Sequence, residues 1–388
     1  MITSISRKAT PSKLGFLAAG LLLSSLAYGQ APEPEEKRLR DEVTLLASPA
    51  FQGRSDVGAR KTVAHLIKTF QTLKLEPLFG GSYIQDVPTG NSGWLPGRNV
   101  GARIVGSDPE LRDEWVIVSA HYDHLGVRNG VLYPGADDNA SGVAMMLEVA
   151  RSIVEGPVKP KRSLMFVGFD LEEIGLYGSR YFVEHPPVPL QRIALFITAD
   201  MIGRSLGGVC EPYVFVMGSE NAPGLRPLLN ESVAGRSLKL GVVGSDLLVL
   251  DRSDYGPFRS RSVPYLFFST GENPRYHSPE DTAETINYPK LEAISRTILG
   301  VVRRACDAPA LPKWSSQPEA DDTEPQTIRD VLHLLLENRE QLKLGTTQTI
   351  MINRAIRSSE AIIARGKMTP AERVGLINLV RVILVSVL

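Results

Sequence analysis

Four short runs of the chain are apolar at nearly every position: Trp115 to Ala120 (WVIVSA), Ser163 to Phe169 (SLMFVGF), Ile193 to Ala199 (IALFITA) and Val263 to Ser269 (VPYLFFS). Runs of this length and β-branched or aromatic character mark strands buried on both faces. Helical spacing fills other stretches. Lys37 to Leu46 reads as a short helix and Val57 to Leu73 as a longer one, with Val63, Ile67 and Phe70 on one face. Ser141 to Val154 sets Val143, Met146, Leu147, Ala150 and Ile153 at helical spacing, behind Asp/Asn/Ser capping chemistry. Strands alternating with helices predict an α/β fold in which helices cover both faces of the sheet.

The two ends read differently. Arg7, Lys8 and Lys13 precede an apolar run from Leu14 to Leu26, which is too short to cross a bilayer comfortably, and Ala27-Tyr28-Gly29 offers small residues for cleavage. Residues 1–29 are therefore expected to be a secretory signal peptide, and the protein to be secreted or periplasmic. Residues 307–326, with four prolines and five acidic residues, read as a linker. Residues 327–388 read as a helical extension with patterns over Thr327–Leu344, Thr349–Arg365 and Thr369–Leu388, Pro370 standing at a first helical position. The apolar run from Val374 to Leu388 is interrupted by Arg381, so no membrane span is expected after signal cleavage.

Charge narrows the function. Lys plus Arg number 43 and Asp plus Glu 43, and loss of the signal segment removes three cations and no acid. A chain near −3 lacks the basic excess of a nucleic-acid binder. Two cysteines, Cys210 and Cys306, support at most one bridge and no thiolate metal site.

Five places carry candidate chemistry. His121-Tyr122-Asp123 follows the strand ending at Ala120, in the crevice where open α/β sheets bind ligands; Asp123 can orient the imidazole, or the group can be a structural His and a turn Asp. Asp137-Asp138 opens a helix between glycines, where the acids can complement the helix dipole or approach a cation. Glu172-Glu173 follows the strand ending at Phe169, and Asp200 ends the strand ITA. His277 lies soon after VPYLFFS. His65, His185 and His333 read as structural or solvent-facing, and His124 as ambiguous. Together the five places supply two His, one Glu and two Asp beside a spare Glu, a nitrogen and oxygen donor set without thiolate that suits a dinuclear zinc hydrolase. Three carboxylates and one hydroxide balance two divalent ions; without metal the carboxylates repel and their pKa values rise.

The order VIVSAHYDHLG, YPGADDNASG, FDLEEIGLYGS, ITADMIG and RYHSPEDT resembles the co-catalytic zinc aminopeptidases of metallopeptidase family twenty-eight, over roughly residues 36–306. The resemblance implies a catalytic domain (residues 30–306) folded as a three-layer α/β/α sandwich with a mixed central sheet. It implies two Zn2+ per chain, with His121 and Asp200 on one, Glu173 and His277 on the other, and Asp138 bridging. Glu172 is then the general base for a zinc-activated water, Asp123 stands behind His121, and the substrates are peptides with a free N-terminus. Ser253-Asp254-Tyr255 departs from the Ser-Asp-His common in the family, in a segment expected to shape the substrate pocket. Competing expectations are a single-zinc glutaminyl cyclase-like transferase, a carboxypeptidase or deacylase, and an inactive binding protein on the same scaffold. The helical extension has no counterpart in the resemblance, and bracing of the domain is its default reading.

Overall fold

The computed structural model describes residues 32–89, 96–233, 238–245 and 251–387. The expected signal peptide lies outside them. Nine strands form the main sheet: β1 (Glu76–Pro77), β2 (Ile84–Val87), β3 (Gly97–Ile104), β4 (Trp115–His121), β5 (Ser163–Phe169), β6 (Ile193–Ala199), β7 (Tyr213–Met217), β8 (Lys239–Val242) and β9 (Tyr265–Ser269). Their order is β1-β3-β5-β4-β6-β9-β7-β8, with β2 also on β3. The central strands β5, β4, β6 and β9 are parallel neighbours, while β3 and β7 join them antiparallel. The sheet is mixed, as the resemblance implied.

The alternation of side chains across each strand divides the core in two. Val116, Val118 and Ala120 of β4, with Leu164 and Phe166 of β5, pack on one face. That face is covered by α1 (Glu36–Leu46), α2 (Val57–Thr72), α3 (Gly142–Val154), α5 (Arg226–Val233) and α7 (Tyr288–Asp307). Trp115 and Ile117, with Met165, Val167 and Phe169, face the other way. There they meet α4 (Tyr177–Glu184), α6 (Tyr255–Ser260) and the last helices, α8 (Glu324–Glu337), α9 (Thr346–Arg365) and α10 (Pro370–Val387). Helices on both faces of a sheet explain why the central strands read as continuous apolar runs.

The C-terminal helices share the core of the second face. Ile328, Leu332 and Leu335 of α8 and Ile377 of α10 join the cluster that contains Tyr213, Phe215 and Met217 of β7. Glu324 is fully buried; its carboxylate accepts from Arg373 at 2.6 Å and from the Gly244 amide at 2.9 Å, tying α8 and α10 to the end of β8. The proline-rich stretch before α8 has no helix or strand between 308 and 323, yet it is fastened down. Ser315 and Glu319 amides donate to the Asn221 and Glu220 carbonyls, and Trp314 stacks near Tyr265. The extension is thus packed onto the second face of the sheet. Cys210 and Cys306 are free, buried in the clusters on opposite faces of the sheet. No helix among the described residues is long and apolar enough to cross a membrane.

Candidate metal centre

Parallel strands deliver their carboxyl ends to one edge, and the candidate residues gather there. His121 is the last residue of β4, Asp170 to Glu173 follow β5, Asp200 follows β6, and the loop after β9 carries His277. The turn of Asp137 and Asp138 sits before α3. His121 Nε2 lies 3.3 Å from Asp200 Oδ1 and 3.4 Å from Asp138 Oδ1. His277 Nε2 lies 2.9 Å from Glu173 Oε2 and 3.2 Å from Asp138 Oδ2. Asp138 thus turns one carboxylate oxygen to each histidine. Donors about 2.0–2.2 Å from a common zinc ion stand about 3–3.5 Å apart in tetrahedral geometry, so each histidine stands at about the spacing of a shared ion from its two acids.

The neighbouring acids are sorted by their hydrogen bonds. Asp137 points away from the cluster, accepting from the Gly203 amide at 2.6 Å and from Asn273 at 3.1 Å. Asp281 accepts from the Asp137 and Asp138 amides and so holds their turn. The Asp123 carboxylate accepts from the Glu172 and Glu173 amides at 3.1 and 3.3 Å, and its main-chain carbonyl lies 3.3 Å from His121 Nδ1, so the residue orients the Glu pair with its side chain and the imidazole with its backbone. Ser253 Oγ donates to Asp200 Oδ2 at 3.0 Å. Tyr255 goes to the core, stacked on Tyr265 and Phe267, so the departure from Ser-Asp-His is absorbed in packing rather than presented to a ligand. Glu172 clusters with His121 and Asp200, their donor atoms within 4.8 Å of one another. A cavity of about 920 Å³ opens beside Asp123, His124 and Glu173.

Two residues outside the expected set belong to this architecture. Arg54 is fully buried, and its five N–H groups are all used on main-chain carbonyls: those of Leu46, Tyr122, Pro134, Gly135 and Asp138. It clamps the loops that carry His121 and Asp138 while setting a positive charge beneath the acids. Replacing Arg54 with Met strands those buried carbonyls and is expected to cost about 3 kcal/mol or more, read by chemical denaturation. A loss below about 1 kcal/mol would remove Arg54 from this role. The other residue is His124, whose Nδ1 lies 2.6 Å from Glu173 Oε1. Of the remaining histidines, His65 pairs with Glu42, His185 stacks on Tyr181 and His333 faces solvent.

Burial and mutual repulsion shift the acids of the cluster. Burial, then the charges of Glu173 and Asp200, push the Asp138 carboxyl up to about 6. Burial likewise lifts Asp137, Asp170 and Asp254 to about 7. Burial opposes the charged form of His277, but Asp138 and Glu173 push it up to about 10. Burial also disfavours Glu173 as an anion, yet hydrogen bonds from His124 and His277 hold it well below the usual range. Asp138, Asp137, Asp170, Asp254 and His277 all bind protons more tightly folded than unfolded, so each stabilises the metal-free fold below its ordinary pKa and loses that contribution as pH rises through the folded value. Glu173 stays ionised across this window and adds no slope. The metal-free chain is therefore expected to melt several degrees lower at pH 8 than at pH 5, while zinc at 100 times its Kd restores about 2.7 kcal/mol. A melting temperature that is flat or rises over this range would contradict the acid cluster.

The chain belongs to Peptidase family M28, whose model matches residues 99–302, the span from before His121 to beyond His277. Aminopeptidase YwaD of Bacillus subtilis is 30% identical over 205 residues, covering 51% of this chain and 42% of its own length. Leupeptin-inactivating enzyme 1 of Streptomyces exfoliatus is 26% identical over 274 residues, 68% of this chain and 58% of that protein. The chain thus spans about half the length of these curated relatives. Among solved structures, LapB of Legionella pneumophila superposes with a TM-score of 0.59 at 20% identity, over 74% of this chain and 75% of that one. Porphyromonas gingivalis glutaminyl cyclase does so at 0.57 and 19%, over 70% and 99%. At such identity these two likenesses concern the fold.

Proposed function

We propose that this protein is an aminopeptidase that hydrolyses N-terminal peptide bonds at a two-zinc centre. The observation that carries the reading is Asp138, one oxygen turned to His121 at 3.4 Å and the other to His277 at 3.2 Å. A carboxylate between two otherwise separate donor pairs is what two cations side by side require. His121 and Asp200 would hold one, Glu173 and His277 the other. Bound divalent ions supply Lewis acidity, lowering the pKa of water from about 15.7 to about 7 and polarising a carbonyl.

The chain's own residues do the rest. Burial holds the Glu172 carboxyl well above the usual range, and this side chain would take a proton from attacking water and return it to the leaving amine. Asp123 fixes Glu172 through its main-chain amide. The sequence pattern at residues 1–29 supports export, and peptides with a free N-terminus are the proposed substrates.

The reading is tested with a panel of aminoacyl p-nitroanilides, assayed with and without chelator, beside a peptide with N-terminal glutamine. Release of nitroaniline that chelator abolishes and zinc restores is expected. Cyclisation of the glutaminyl peptide without hydrolysis of any anilide would overturn the reading. It would place the chain with the glutaminyl-peptide cyclotransferase of Boiga irregularis, 28% identical over 239 residues.

A further inference from the structure

We propose that His124 is a positioning residue for Glu173: its Nδ1–H donates to Oε1, leaving Oε2 as the one oxygen presented to the metal site. The proposal rests on the two-zinc reading and adds a residue to it.

His124 lies 49 residues from Glu173, in the loop after β4, and its side chain is fully buried. Its Nδ1 is 2.6 Å from Glu173 Oε1, while Glu173 Oε2 is 2.9 Å from His277 Nε2. The carboxylate is therefore pinned at both oxygens by two different histidines. Those two rings meet edge to face, with centroids 5.9 Å apart.

His124 is also a possible ligand in place of His277, since its donor atom clusters with those of Asp138 and Glu173. Two distances decide against that role. Two donors on one zinc ion stand about 3.3 Å apart in tetrahedral geometry; His124 Nδ1, 2.6 Å from Glu173 Oε1, is in close hydrogen-bond contact far inside that spacing, whereas His277 Nε2, 2.9 Å from Oε2, is nearer to it. From Asp138 Oδ2, His124 Nδ1 is 3.8 Å away, but His277 Nε2 is 3.2 Å away.

The tautomer follows from burial. His124 Nε2 is buried and has no hydrogen-bond partner among the described residues. A proton there would leave a donor unsatisfied, whereas a proton on Nδ1 is used on Glu173. The ring is closely packed against Gly135, where an added Cβ would stand 2.5 Å from its Cγ and Cδ2, and Gly135 also holds a φ of +61°. The turn that brings in Asp138 thus packs on the ring that steers Glu173, so one bridging and one terminal carboxylate are placed by the same contact.

The experiment titrates Zn2+ into metal-free full-length protein by calorimetry and records the visible spectrum of the Co2+-loaded form, for the wild type, His124→Ala and His124→Asn. The Asn amide can place an N–H donor near the position of Nδ1; Ala cannot. Wild type is expected to bind two ions. His124→Ala should keep the first and bind the second about 10–100-fold more weakly, with an altered Co2+ spectrum, as for removal of a hydrogen-bond partner of a metal-ligating residue. His124→Asn should recover most of the second affinity. Two ions bound by His124→Ala with wild-type affinities would overturn the proposal and leave the two-zinc reading standing. Equal weakening of both ions in both variants would also overturn it, since His124 would then be a packing residue. A wild type that binds no ion would sink both.

Discussion

Replacing Glu172 with Gln is expected to leave two metal ions bound and to lower kcat at least about 10²-fold, with little change in KM. Gln keeps the size and polarity of the side chain and removes only its capacity to take a proton. The measurement also decides between two roles that the geometry allows. Glu172 clusters with His121 and Asp200, a trio that could itself surround an ion. In the two-zinc account Asp138 completes that site, so Glu172 is free to handle protons. A variant that loses one ion along with activity would make Glu172 a ligand. A variant with wild-type turnover would remove it from the chemistry.

The second large effect belongs to Asp138. Its main chain is held independently of any metal, because Asp281 accepts from the Asp138 amide at 3.1 Å and Arg54 donates to its carbonyl. Asp138→Asn is therefore expected to fold. An Asn side chain offers one oxygen and one NH2, which cannot bind a cation, so the bridge is lost at one end and the charge at both. Metal content should fall from two ions to one or none, with activity down about 10²-fold or more, since His121 with Asp200 and Glu173 with His277 would then have to hold their ions without an anionic bridge. Removing this carboxylate also relieves repulsion among the buried acids. The metal-free variant should accordingly be more stable than the metal-free wild type at pH 8, a gain opposite in sign to the loss of function. Wild-type metal content in Asp138→Asn would deny it the bridging position.

Much of the scaffold could be read from the pattern of apolar residues. The runs Ser163–Phe169 and Ile193–Ala199 are strands over the same residues, and the strand starting at Trp115 extends by one, to His121. Both faces of these strands are covered, so burial leaves an unambiguous trace. Gly97–Ile104 escaped because its strand mixes Arg, Asn and Gly with apolar residues. Tyr213–Met217 is apolar throughout, but five residues do not distinguish strand from buried helix by periodicity. The helix Tyr288–Asp307 did carry a signal, with Pro289 in its first turn and the Asn287 side chain accepting from the Lys290 amide.

The site was legible to a similar depth. Strand ends made His121, Glu173 and Asp200 conspicuous, and Asp138 was separable from Asp137 only by resemblance until their hydrogen bonds set them apart. Arg54 and His124 were not legible. Arg54 acts on five carbonyls from three stretches of the chain, and His124 on a carboxylate brought near by the pairing of β4 with β5. Neither contact exists until the sheet has formed, and neither residue stands in a pattern that names its partner.

Anomalous diffraction from crystals grown with zinc tests the central claim most directly. The account predicts two peaks per chain, one against His121 and Asp200, the other against Glu173 and His277, with Asp138 between them. A single peak, or a second one seated on His124 in place of His277, would contradict it.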